Sequence, residues 1–355
     1  MNSNVKKYRG CSDIIGGTLV FTSHIGEVKN CMTPCCHMSM MNLATELLDD
    51  PESTVNNFFK FRHNLNNENK KLAEENNNER NYTADCIDCP KYIVNEWDDV
   101  SDTLCYVSLA MAPAPCQSKC MYCAHLSKDN SLSDESKDAY ERLIKLLKYM
   151  KEKNIITKDT TIQVASGEIT IHPYKDQILE IVNGLNVKFF SNCFKFDQGI
   201  ADHLRGNPQS SINLSIDSGT ASTWKKVKGF NNFNRVVSNL RKYYNYCDQV
   251  NHQQIELKYI VMPEINTQTQ DYNGIIKIMK DLNVKELIIS REFSVYYQPS
   301  TKEYETLYEN IITLASLCKI NGLSYIMADG IFTQYDMNYI EDGVSKKLID
   351  ISKTK

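Results

Sequence analysis

Ser211-Ile212-Asn213-Leu214-Ser215-Ile216-Asp217 alternates apolar and polar side chains without a break. Successive side chains of an extended chain point to opposite faces. Ile212, Leu214 and Ile216 therefore share one side, and an amide, a hydroxyl and a carboxylate share the other. The apolar side packs under helices. The polar side suits either the lumen of a barrel that holds a polar ligand or an edge strand with one face in water. Outward from this strand, similar runs fall at residues 105–111, 161–165, 187–191, 255–261, 286–289 and 323–327. Helical patterns separate most of them. Tyr140, Leu143, Ile144, Leu147 and Met150 recur at helical spacing, behind Ser133 as a cap and with Asp134 and Glu135 in the first turn. Further helices are expected at 272–282 and 304–318. Strands alternating with helices predict an α/β fold with a parallel sheet, and about six such units predict a partial (β/α)6 TIM-type barrel.

The chain has 355 residues, enough for roughly two domains. Three zones differ in composition: a small, irregular, cysteine-rich region at 1–102 with an Asn-dense insert at about 56–81, the alternating core at 103–333, and a tail at 334–355. Around Lys70-Lys71-Leu72-Ala73-Glu74-Glu75 the insert reads as a spacer or a soluble helix. Lys plus Arg number 40 against 44 Asp plus Glu, a net charge of -4, so the chain lacks the basic footprint of a nucleic-acid binder. No apolar run approaches the ~20 residues that cross a bilayer, and no signal-peptide core follows Met1, so no membrane partner and a cytoplasmic location are expected.

Ten of the 13 cysteines lie between Cys11 and Cys123, and clustered thiols in a reducing compartment point to metal or redox chemistry. The densest group is Cys116-Gln117-Ser118-Lys119-Cys120-Met121-Tyr122-Cys123, a C-x3-C-x2-C array directly after the first strand of the core. That is the C-terminal end of a strand, where barrel active sites are built. Three thiolates from Cys116, Cys120 and Cys123 can hold three irons of a [4Fe–4S] cluster and leave the fourth open to a small chelating molecule. Structural zinc is the alternative, with His125 completing a Cys3His set.

The array, with its aromatic Tyr122, resembles the signature of the radical S-adenosylmethionine (radical SAM) superfamily, and the resemblance extends over roughly 105–329. Ala165-Ser166-Gly167-Glu168 is similar to the family's Gly-Gly-Glu motif, with Ser166 in place of the first Gly and Ile169 where Pro is usual. The resemblance implies that Gly167 and Glu168 receive the methionyl ammonium and that Ser215 and Asp217 face the ribose and carboxylate. It further implies that adenine packs near Val261 and that Asn192 makes another polar contact. The implied reaction is reductive cleavage of S-adenosylmethionine to a 5′-deoxyadenosyl radical, which takes hydrogen from a small polar, sugar-like substrate or a peptide. Net oxidation is expected, with cross-linking or epimerisation of a peptide as the alternative and flavodoxin or ferredoxin as the implied reducing partner. A different class is also open, a non-enzymatic zinc protein that binds a partner.

Upstream, Cys11, Gly26 and Cys31 form C-x14-G-x4-C, and Cys86-Ile87-Asp88-Cys89 supplies C-x2-C. This is similar to the SPASM or twitch auxiliary-cluster module, although it precedes the barrel instead of following it. The resemblance implies a second [4Fe–4S] cluster on Cys11, Cys31, Cys86 and Cys89, with Cys35, Cys36 and His37 as competing ligands and Cys105 a more distant one. Zinc is again the alternative. Cys193, after Asn192, is a candidate hydrogen-atom donor or else a buried thiol, while Cys247 and Cys318 read as small core residues. Arg291 and Lys258 suit either ligand binding or a salt bridge, and the tyrosine pairs at 243–244 and 296–297 read as packing residues.

Overall fold

The computed structural model describes residues 7–25, 28–35, 44–74, 91–110, 114–123, 131–165, 167–247, 254–292, 301–328 and 331–353. The chain forms two compact units, one of residues 1–115 with 129–188, the other of 116–128 with 189–355.

In the first unit, β1 (Tyr8–Cys11), α1 (Ser12–Gly16), β2 (Thr18–Ile25), β3 (Val28–Thr33), β4 (Thr45–Glu46), α2 (Pro51–Glu74) and β5 (Tyr92–Asn95) precede β6 (Tyr106–Leu109). Then come α3 (Asp134–Glu152), β7 (Thr161–Val164), α4 (Lys175–Val182) and β8 (Asn186–Phe190), within which the unit ends. Strands β7, β6 and β2 run parallel, β3 and β4 extend them antiparallel, and β1 pairs separately with β5. The cysteine-rich segment thus supplies ordered strands: Thr18-Leu19-Val20-Phe21 is a short apolar run rich in strand-forming residues and pairs in register with β6. Leu19 and Met32 face Val55 and Phe58 of α2 and Leu146 and Met150 of α3 across a small gap. On β6 and β7, polar Ser108 and Gln163 are hydrogen-bonded to each other, and Tyr106 donates to Gln163. Helix α3 begins as its sequence predicts, with Ser133 accepting from the backbone N–H of Ser136. The Lys70 stretch is the end of α2, so the front of the insert is helical.

Arg62 of α2 is fully buried and donates to the carbonyls of Ile14 (2.7 and 3.0 Å), Ile15 (3.4 Å) and Ser101 (3.1 Å). Carbonyls at the end of α1 have no partner inside the helix, and one guanidinium meets them. Burial lowers its pKa to about 10, so it stays charged at neutral pH. Arg62→Met is expected to lower stability by about 3 kcal/mol, because it takes two donors from the buried Ile14 carbonyl and one from that of Ser101. Urea denaturation of the metal-free protein measures it, and a loss under about 1 kcal/mol would show that water replaces the side chain.

The second unit contains α5 (Gln198–Gly206), β9 (Ser211–Ser215), α6 (Ala221–Lys228), α7 (Phe233–Tyr246), β10 (Ile255–Val261), α8 (Thr269–Asp281), β11 (Glu286–Arg291), α9 (Thr301–Ile320), β12 (Ser324–Met327) and α10 (Gln334–Lys353). Strands β9, β10, β11 and β12 are parallel neighbours in that order. Leu214, Leu257 and Leu287 align on the buried apolar face, and Asn213 aligns with Glu256 on the other. The backbone of Ser191 donates to Asn213 on the side of β9 away from β10, so β9 is an interior strand and not an edge. The sequence order of strands and helices is that of the predicted (β/α) repeat, with parallel pairing through β2, β6 and β7 in the first unit and from β9 to β12 in the second. The tail is a helix: Tyr308 of α9 donates to Asp336, and Lys347 donates to Thr313. No helix among the described residues is long and apolar enough to cross a membrane.

Candidate functional site

The Cys116–Cys123 loop belongs to the second unit and is fastened by its backbone. The N–H groups of Lys119 and Met121 donate to the carbonyls of Lys228 and Val227, each at 3.0 Å. These are among the last carbonyls of α6, which ends at Gly229 in the left-handed conformation with φ 77. A side chain is excluded at Gly229 on a second count, since a Cβ there would lie 2.9 Å from that of Lys119. The end of α6 therefore acts as a short edge on which the loop is laid.

Each thiol of the array is half-buried. The Ser118 hydroxyl lies 3.1 Å from Cys120 Sγ, and the Asn192 amide donates to Cys116 Sγ at 3.7 Å. Asn192 is itself oriented by the backbone N–H of Phe194 and by Gln117, both of which donate to its Oδ1. Asn192 thus reaches a cysteine sulfur of the array. Among the described residues no three His, Cys, Asp or Glu side chains converge within reach of one ion. A cuboidal cluster does not ask for that, because each thiolate takes its own iron. Three soft donors with an amide N–H directed at one sulfur suit such a cluster by donor chemistry.

Behind the loop lies a buried charge network. Asp217 follows β9, has φ 46 and is 0% exposed. Its Oδ2 accepts from Lys228 Nζ and from the Tyr122 hydroxyl, each at 2.5 Å, and its Oδ1 accepts from the Ile260 backbone at 2.7 Å. Lys228 also donates to the Tyr122 oxygen and sits over its ring and that of Trp224. Burial, then the Asp217 charge, raises the Tyr122 pKa well above its ordinary value, so the phenol keeps its proton and donates it. Both carboxylate oxygens of Asp217 are engaged within the protein. Its main chain is held too, because Asn266 donates to the Asp217 carbonyl at 3.0 Å and to that of Ile260 at 2.7 Å.

Of the other expected residues, Ser215 is half-buried at the end of β9 and Val261 is buried at the end of β10. Nearby, Asn213 and Ser211 donate to Glu256 at 3.0 and 2.7 Å, and burial lowers the pKa of Lys258. Cys193 is fully buried, with its thiol toward the Ser191 carbonyl at 4.0 Å. Arg291 is buried against the rings of Tyr304 and Phe332. In the first unit, Gly167 has φ 62, and a Cβ there would lie 2.5 Å from the Pro115 carbonyl oxygen. Glu168 is fully buried and accepts from the Thr170 N–H at 3.0 Å. Ser166 and His125 lie outside the described residues.

Among the N-terminal cysteines, Cys11 and Cys35 share one buried cluster with Ile14, Leu65 and Tyr92. Cys31 is buried on β3 with its thiol toward the Thr22 carbonyl of β2 at 3.9 Å. Cys36, His37, Cys86 and Cys89 lie outside the described residues, but Tyr92, which follows Cys89 closely, pairs with Cys11. Lys228 and Asn266 were not foreseen from the sequence. Only the Lys228-Gly229 helix stop gave a signal that the chain turns there.

Residues 115–271 match the Radical SAM superfamily, so the chain carries a radical SAM domain. No curated protein matches the sequence. Among solved structures, SuiB of Streptococcus suis bound to S-adenosylmethionine is 12% identical, with 77% of this chain and 56% of that one covered and a TM-score of 0.46. SuiB bound to its precursor peptide SuiA is 13% identical, covering 93% of this chain and 75% of that one at a TM-score of 0.46. A radical SAM methyltransferase of Sphaerobacter thermophilus is 11% identical over 63% of this chain and 67% of that one, at a TM-score of 0.43. The chain spans 56% of the length of the first of these. The family implies a [4Fe–4S] cluster and S-adenosylmethionine.

Proposed function

We propose, from the radical SAM domain that the chain carries, an enzyme that cleaves S-adenosylmethionine reductively and removes hydrogen from a small polar or peptide substrate. Cys116, Cys120 and Cys123 would hold the cluster. The cluster would supply one electron to the sulfonium and so release a 5′-deoxyadenosyl radical. The protein's share is to bind, orient and exclude water. Gly167 and Glu168 are proposed for the ammonium, Ser215 and Asn192 for polar contacts, and Val261 for the adenine surface. Tyr122 and Asp217 would serve the same cofactor by way of the loop, since their polar atoms bond one another.

The observation that carries the reading is the fastening of a three-thiol loop to the end of α6, with an amide directed at one sulfur. A polar strand face bearing Asn213, Ser215 and Glu256 supports a polar substrate. A peptide is the favoured form, by analogy with the precursor peptide bound to SuiB. We further propose an auxiliary cluster on Cys11, Cys86 and Cys89, with net oxidation as the outcome and a flavodoxin or ferredoxin as reductant. Cys31 is proposed as the fourth ligand, with Cys35, which shares a buried cluster with Cys11, as its competitor.

Protein purified without oxygen is expected to be brown and to carry about four irons per [4Fe–4S] cluster. With dithionite and S-adenosylmethionine it should form 5′-deoxyadenosine, measured by liquid chromatography. A colourless, zinc-loaded protein that forms none would leave the zinc-binding alternative standing.

A further inference from the structure

We infer that the Lys228–Asp217 ion pair, acting through Tyr122, is the positioning element of the cysteine loop and sets the charge balance behind its cluster. The inference rests on the radical SAM reading and adds to it a residue outside the cysteine and S-adenosylmethionine motifs.

The network is unusual in what it joins. Lys228 and Asp217 are separated by 11 positions, and Tyr122 lies 106 positions from Lys228. The Lys228 side chain is 3% exposed and that of Asp217 is 0% exposed, so both charges have left water. Desolvating an ion pair costs several kcal/mol per ion, and a pair of well-packed apolar side chains is often as stable. Stability alone therefore does not account for this pair. Its partners show where it acts. Lys228 touches the loop twice: its carbonyl accepts from Lys119 N–H, and its ammonium donates to Tyr122, between Cys120 and Cys123. The Ser118 hydroxyl adds a third contact, donating to the same carbonyl at 3.4 Å. One residue thus holds both halves of the array.

Asp217 is fixed in turn by residues outside the loop. Ile260 N–H donates to its carboxylate and Asn266 to its carbonyl. Around the pair, Val227, Ile260 and Met262 form an apolar cluster against which the Tyr122 ring packs. In such surroundings a charge is weakly screened, so an unbalanced one acts at longer range than in water. Lys228 and Asp217 cancel at a distance. Close to the loop, each contributes its own sign.

The charge account gives a test with opposed signs. The couple takes up one electron and no proton. Lys228→Gln leaves the carboxylate uncompensated and should make cluster reduction about tenfold less favourable, about 59 mV lower for one electron. Asp217→Asn leaves the ammonium and should shift reduction about as far in the favourable direction. The double variant should return to within about twofold of wild type. Potentials are read by electron paramagnetic resonance during redox titration, and the signal that changes on adding S-adenosylmethionine identifies the loop's cluster.

Loosened packing alone does not produce opposite shifts that cancel. Shifts of one sign, shifts below about twofold in both single variants, or a double variant unlike wild type would each overturn the inference. If a single variant takes up no iron, Tyr122→Phe decides, because it removes one hydroxyl and no charge. In the metal-free protein it should let iodoacetamide label Cys120 about tenfold faster, and an unchanged rate overturns the inference. Wild-type protein that binds no cluster would remove the radical SAM reading itself. Wild type that binds one, beside unmoved variants, removes only the role of Lys228.

Discussion

Cys120→Ala is expected to lower 5′-deoxyadenosine formation by more than about 100-fold, measured anaerobically with dithionite and S-adenosylmethionine. Changing an outer partner of a metal site typically lowers affinity or activity 10–100-fold, and loss of a direct ligand exceeds that range. Cys120 is the middle thiol, between the backbone bonds of Lys119 and Met121 to α6. Its removal leaves two sulfurs where three irons need a thiolate. Asn192→Ala gives the internal comparison. It leaves all three thiols in place and removes the N–H directed at Cys116 Sγ together with the oxygen that accepts from Phe194 N–H and Gln117, so a loss of about tenfold is expected. The order of the two effects is the test. If Asn192→Ala proved as damaging as Cys120→Ala, the asparagine would be a direct contact of the cofactor. If Cys120→Ala retained full activity, the array would not hold the reacting cluster.

Much of the fold was legible because it depends on local periodicity. Ile212, Leu214 and Ile216 alternate with polar residues, and β9 is a strand with Asn213 and Leu214 on opposite faces. Ser133 caps α3 because a hydroxyl at that position meets an unpaired N–H. Helix α10 was not legible, since its buried residues are only Asp336, Ile340 and Val344, too sparse a stripe to stand out. Strand β2 was masked in another way. Its cysteine-rich flanks drew attention to metal chemistry, while its short apolar run Leu19-Val20-Phe21 pairs with β6. At the site, the array of Cys116, Cys120 and Cys123 could be read from spacing alone. The role of Lys228 could not. A lysine in Lys225-Lys226-Val227-Lys228 looks like one of several surface charges, and only the turn after β9 brings a carboxylate to it. Long-range charge pairing leaves no period in a sequence.

That turn rests on one residue, and its removal is expected to give the largest loss of stability. Asp271 of α8 is 0% exposed. Its Oδ1 accepts from the Gly219 N–H (3.2 Å), the Thr220 hydroxyl (2.8 Å) and the Ser218 hydroxyl (3.4 Å), and its Oδ2 accepts from the Thr223 hydroxyl (2.8 Å). Its place in the first turn of a helix favours the negative charge. The approach is close as well: a Cβ on Gly219 would lie 2.0 Å from the Asp271 carbonyl oxygen, and one on Gly274 would lie 2.1 Å from the Gly219 carbonyl oxygen. Asp271→Ala leaves the buried Ser218 hydroxyl and three half-buried donors without this acceptor, and breaking a buried charged network in this way costs about 3–5 kcal/mol. Urea denaturation of the metal-free protein measures the loss. Asp271→Asn keeps one carbonyl oxygen for the Gly219 N–H and should lose about half as much. The turn from Asp217 to Thr220 carries the carboxylate that Lys228 and Tyr122 bind. Asp271→Ala should therefore also expose the cysteine loop, seen as faster alkylation of Cys120 under conditions where the variant is still folded. A loss below about 1 kcal/mol with unchanged labelling would mean that the close packing of Gly219 on Gly274, and not the carboxylate, holds the turn.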